Sequence, residues 1–259
     1  MRTVVCACFL LIFSTSVLAQ GNANVQPGVI NFYEKGLQGI GPDFGNNPAS
    51  ENFYNQMRDK LADLGVEQKL NLDDIDGSIY FNEQFVKGEI RFNGKKERDM
   101  YMRYNAFNDE FEIKNTNLKE DKALALLKNV NISCVLAGDE YIYGVFKDKK
   151  NEKSQGYLKS VLNVGGYELH KRNIKHFKAG KEAKTSHAVS FPHRFVDETH
   201  FYISLDDGVP AYISSKKRDF LSLFLPDHQQ KIKQFMKSRN IDLKTEKGLV
   251  NVIAFAGNL

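Results

Sequence analysis

The stretch 86–114 reads VKGEIRFNGKKERDMYMRYNAFNDEFEIK, and its spacing decides the fold. Val86, Gly88, Ile90 and Phe92 alternate with Lys87, Glu89 and Arg91, the period-two pattern of a strand with one buried face. Asn93-Gly94 follows, a dipeptide suited to a tight hairpin turn. Residues 100–107 then read as a second strand, Asn108-Asp109 as its turn, and 110–114 as a returning strand. Three strands with short connections make an antiparallel meander.

The same reading extends outward. Residues 132–136, 141–146 and 156–164 are further strands, and Gly165-Gly166 turns the chain into a strand over 167–173. Residues 200–205 and 209–213 flank Asp206-Asp207-Gly208, another hairpin signature. The short, charged run 178–185 reads as a surface loop. Near residue 215 the period changes. Phe220, Leu221 and Phe224 make a short helical face ended by Pro226. Ile232, Phe235 and Met236 share a face on a second helix, and Thr245 caps a third containing Leu249, Val250, Ile253 and Ala256. Strands first and helices last predict an α+β fold, an antiparallel meander or curved sheet with C-terminal helices packed on it.

The N-terminal side divides into three parts. Arg2, the apolar run 4–12 and the small-residue stretch ending Val17-Leu18-Ala19 predict a signal peptide over 1–19, cleaved between Ala19 and Gln20. Residues 20–49 are rich in Gly, Asn and Pro and read as a flexible lead-in. The domain proper is expected over 50–214, opening with a helix whose face is Phe53, Met57, Leu61 and Leu64, with the tail helices over 215–259. No later apolar run is long enough to predict a transmembrane segment. The expected setting is secreted or periplasmic.

Charge is nearly balanced, with 36 basic and 32 acidic residues, and the signs are mixed locally. That argues for a solvated surface and against a nucleic-acid partner. The richest basic stretch, 170–178, reads as a polar strand edge or loop. Once the signal is removed Cys134 stands alone in an apolar run, and it reads as a small buried hydrophobe. A secreted domain without disulfides suits a bacterial envelope.

Three segments carry a resemblance. Residues 77–85 (GSIYFNEQF), 87–90 (KGEI) and 103–109 (RYNAFND) resemble a pattern in uncharacterised secreted proteins of Bacteroidetes-type bacteria. The 220–224 segment (FLSLF) and the Lys-rich helices after it are similar to their tails. The likeness spans residues 70–259 and implies an envelope or secreted setting. It implies no activity, so no functional residue is carried over from it.

No phosphate loop, nucleophile elbow, His-Glu-x-x-His helix or Cys-x-x-Cys pair occurs. The metal-ligand candidates are His187, His193 and His200, with Asp197 and Glu198 between them. Spacing speaks against the set: on a strand His193 and Asp197 share a face and His200 points the other way. Arg103 either binds an anion or pairs with Asp99 or Glu112 across strands. Tyr141, Tyr143, Tyr157, Tyr167 and Tyr202 line a cleft if the sheet curves, while the lack of Trp speaks against flat sugar-stacking platforms. The leading functional reading is a non-enzymatic binding or structural module, without a cofactor, serving an unknown protein or small-molecule ligand. The alternatives are a metal-assisted hydrolase using His187, His193 and His200, and a carrier of an apolar ligand in a curved sheet.

Overall fold

The computed structural model describes residues 75–181 and 189–259. The signal segment with Ala19 and Gln20, the lead-in, the expected helix over 50–64 and His187 lie outside the described residues.

The meander forms as its pattern predicts. Strand β1 is Ile75–Asp76, β2 is Val86–Phe92, β3 is Lys95–Asn105 and β4 is Glu110–Lys114. Asn93 and Gly94 both take positive φ (49° and 74°), which is what a tight hairpin turn with native twist requires. Ile90, Met100, Met102, Phe111 and Ile113 are buried on one side. Strand β3 starts five residues earlier than the apolar pattern suggests. A register shift between Ile90 and Arg91 lets the charged residues 95–99 continue the ladder, with Lys96 held by Asp99 at 2.6 Å.

The chain continues through β5 (Leu124–Ala125), β6 (Ile132–Leu136), β7 (Asp139–Lys147), β8 (Lys153–Val164), β9 (Tyr167–Lys178), β10 (His193–Leu205) and β11 (Ala211–Tyr212). Three helices follow: α1 (Lys217–Leu221), α2 (Pro226–Ser238) and α3 (Glu246–Ala256). All eleven strands among the described residues join one sheet in the order β1-β10-β9-β8-β7-β6-β2-β3-β4-β5, with β11 beside both β10 and β7. The sheet is mixed: β1 runs parallel to β10, and β11 parallel to β7. The architecture is therefore mostly β with C-terminal helices, and the expectation of an antiparallel-only sheet is corrected at those two pairs.

Strand β11 closes a circuit. Because it pairs with β10 on one side and β7 on the other, β7-β8-β9-β10-β11 forms a ring. Phe146, Leu158 and Tyr202 fill its interior, each 1% exposed. A second feature comes from a fork. The β8–β9 ladder stops at Lys159 and Lys171; beyond it, β8 stays with β7 and β9 stays with β10. The tip of the β3–β4 hairpin enters this fork, and the Lys175 amide donates to the Ala106 carbonyl at 3.0 Å. The sheet thus coils around a second core of Ile90, Met102, Phe111, Cys134 and Tyr157.

The helices cover the outer face of β9 and β10. Leu249, Val252, Ile253 and Ala256 of α3 and Ile232 and Met236 of α2 meet Tyr167, Leu169 and Ile203. Each such side chain contributes about 1.5–3 kcal/mol by leaving water. The Thr245 hydroxyl accepts from the Gly248 amide at 3.1 Å, so the expected cap is present. Pro226 opens α2 rather than ending α1, because a first-turn residue needs no amide donor.

The basic run 170–178 is an inner strand, which corrects its reading as an edge or loop. Three of its charges are tolerated there because they have counter-ions: Lys171 meets Glu246 at 2.9 Å, Arg172 meets Asp109 at 2.9 Å and Lys175 meets Asp197 at 2.5 Å. No helix among the described residues is long and apolar enough to cross a membrane.

Candidate functional site: the mouth of the coiled sheet

Residues 77–85 act as a strap over the hairpin formed by β3 and β4. Gly77 takes a φ of 85° and packs against Phe195, turning the chain away from β1. The Ile79 carbonyl then accepts from the Ala106 amide at 3.0 Å, and Tyr80 bridges to Asn105. The Tyr80 hydroxyl donates to Glu112 at 2.7 Å. The Arg103 guanidinium lies between the Tyr80 and Phe85 rings, at 3.9 and 4.4 Å from their centroids. It donates to Glu112 through Nε at 2.8 Å and to the Glu83 carbonyl through Nη1 at 3.0 Å. Of the alternatives open from sequence, Arg103 therefore takes the cross-strand pair with Glu112.

A second buried network seals the fork. The Asp109 carboxylate accepts from Arg172 Nη2 at 2.9 Å, from the Tyr157 amide at 3.2 Å and from the Tyr104 hydroxyl. Asp109 takes a φ of 56°, a conformation Asp adopts more readily than most residues. Gly156 is required beside it, since a β-carbon there would lie 2.8 Å from Arg172 Nη2. Burial, followed by the Asp109 charge, pushes the Tyr104 phenol well above its usual range, so it remains a donor.

Between strap, fork and the β6–β7 turn lies a cavity of about 140 Å³. Tyr104 and Tyr141 form its floor, and Val86 and Leu136 its apolar wall. Asn82, Gln84, Asp139 and Asn173 stand around the opening, with Phe81 exposed at the rim. Both formal charges in the lining are already neutralised, Arg103 by Glu112 and Asp139 by Lys159 at 2.8 Å. Burial pushes the Tyr141 phenol up to about 12, which keeps it protonated at neutral pH. Of the five tyrosines expected to line a cleft, Tyr141 does so. Tyr157, Tyr167 and Tyr202 are buried in packed cores, and Tyr143 packs against Tyr157.

Of the candidate metal ligands, the two among the described residues, His193 and His200, are not brought together. His193 opens β10, where its Nδ1 accepts from the Gly180 amide at 3.0 Å and its ring stacks on Phe177. His200 lies seven residues along the same strand, roughly 23 Å away at about 3.3 Å per residue, and on the opposite face. Asp197 is taken by Lys175. Among the described residues, no three His, Cys, Asp or Glu side chains form a metal cage. His200 instead contacts Glu198 at 2.7 Å, and His176 meets the other Glu198 oxygen at 2.6 Å. Hydrogen bonds from Lys149 and then His200 hold the Glu198 carboxyl down to about 2. Cys134 is fully buried, and burial alone pushes its thiol far above the range in which a thiolate forms.

Burial lowers two imidazoles, His170 and His200, below their ordinary value, despite the nearby carboxylates of Glu168 and Glu198. Protonation therefore favours the unfolded chain. The stability these groups lend is present above about pH 6.5 and is lost as pH falls toward their folded values. Each unit of lowering costs about 1.4 kcal/mol at acid pH. The melting temperature should drop between pH 7.5 and pH 5, and the double variant H170Q/H200Q should flatten that slope. An unchanged slope in the variant would assign the acid sensitivity elsewhere.

Sequence reasoning missed the Asp109–Arg172 contact, the cavity and its floor. Among the described residues, Phe146, Leu158 and Tyr202 fill the interior of the ring. The chain matches no protein-family model, no curated protein and no solved structure.

Proposed function

We propose that this chain is a secreted or periplasmic, non-enzymatic binding module whose mouth cavity takes a small ligand or one side chain of a partner. The N-terminal signal pattern supports the location, as does the resemblance to secreted proteins of Bacteroidetes-type bacteria. The observation that carries the binding reading is the convergence of neutral polar groups from distant segments over an aromatic floor at a sheet mouth. The strap and the hairpin tip that build this mouth are the 77–85 and 103–109 segments on which the resemblance rests. No nucleophile–base pair or metal cage adjoins the cavity among the described residues.

A fragment screen followed by amide chemical shifts tests the reading. Bound fragments should perturb Tyr104, Tyr141 and Asn173 together. Perturbations confined to the helical face, or turnover across a broad hydrolase panel, would contradict it.

A further inference from the structure

We propose that the ligand of the mouth cavity is a neutral, polyhydroxylated ring: one pyranose unit, free or at the end of a saccharide. This rests on the mouth being a binding site, as argued above, and adds the chemical class of its occupant.

Size comes first. A volume of about 140 Å³ lies below the roughly 300–1,000 Å³ of pockets for drug-sized molecules, so the occupant is a single small ring. Charge comes second. Arg103 is committed to Glu112 and the Glu83 carbonyl, and Asp139 to Lys159. Lys175, which lies over the rim residue Phe81, is committed to Asp197. An anionic or cationic ligand would find no free counter-charge and would lose its hydration without return.

The groups left open are neutral. Asn82 uses Oδ1 to cap the Gln84 amide at 3.0 Å, and Asn173 uses Oδ1 to accept from Thr199 at 3.3 Å. Each keeps an amide nitrogen for a ligand. The Gln84 side chain and the Tyr141 hydroxyl have no hydrogen-bond partner among the described residues. An apolar ligand would displace water from the half-buried Tyr141 hydroxyl and Asn173 amide without returning a hydrogen bond. A ring with hydroxyls around its edge and C–H groups on its faces satisfies both halves of the lining. Planar amides take the hydroxyls, while Tyr104, Tyr141 and Phe81 offer aromatic surface to the C–H face.

The test is a chemical-shift titration of the purified protein with glucose, galactose and N-acetylglucosamine, alongside their charged counterparts glucuronate and glucosamine. At least one neutral sugar should shift the Tyr141 and Asn173 signals saturably, with a Kd in the millimolar range. Raising salt from about 0.05 to about 0.5 M should leave that Kd unchanged. Tyr141→Phe, which keeps the ring packed on Phe111, should weaken binding by about three- to tenfold at an unchanged melting temperature. Tighter binding of a charged sugar, or no shift with any neutral one, would overturn the proposal. If fragments still cluster at the mouth while no neutral sugar binds, the ligand class fails and the binding reading stands. If neither binds there, both fail.

Discussion

Replacing Asp109 with alanine should lower folding stability by about 3–5 kcal/mol, the cost of stranding one partner of a buried ion pair. Its side chain is 15% exposed and that of Arg172 18%, so neither charge is well hydrated. Without the carboxylate, the Arg172 guanidinium, the Tyr104 hydroxyl and the Tyr157 amide all lose an acceptor in the same place. Water cannot fully replace it, because the fork is closed on both sides by paired strands. The double variant D109A/R172L should recover part of the loss, since no uncompensated charge then remains. Urea unfolding measures both. A loss under about 1 kcal/mol for D109A would show instead that the pair behaves as a surface contact.

Glu112→Ala should have the next largest effect, again about 3 kcal/mol or more. Glu112 is 2% exposed and accepts from Arg103, Tyr80 and, at 3.4 Å, Asn105. The consequence goes beyond stability. Arg103 is the pin that holds the Tyr80 and Phe85 rings, so its release frees the strap. Limited proteolysis with an enzyme that cuts after aromatic residues should then cleave at Tyr80, Phe81 or Phe85 under conditions that leave these three sites uncut in the native chain. Fragment binding at the mouth should disappear with it. A variant that loses stability but keeps the strap protected would separate Glu112 from the mouth.

How much of this was legible depended on whether the signal was local. The 86–114 meander was readable because Ile90, Met100 and Met102 face one way and the turn carries Asn93-Gly94. Strand β9 was cut short at Asn173 because Lys171, Arg172, Lys175 and His176 interrupt its apolar alternation. Their counter-ions sit 63 residues away at Asp109, 75 away at Glu246 and 22 away at Asp197 and Glu198. Nothing near 170–178 announces them. Strand β11 shows the same limit: Ala211 closes the ring by a backbone pairing with Lys147, which leaves no side-chain pattern. The mouth could not be read for the same reason. Its floor and rim come from β3, the strap, the start of β7 and β9, and only the coiling of the sheet brings them together.

The coiling itself is the claim on which the site depends: the hairpin tip must occupy the β8–β9 fork. Native-state hydrogen exchange tests it most directly, at the Tyr157 amide bound by Asp109 and the Lys175 amide bound by the Ala106 carbonyl. Both should exchange only through global unfolding, as slowly as the core amides of β2 and β3. Exchange of either at the rate of an open loop, with the core still protected, would mean that the fork stands empty and the mouth is not formed.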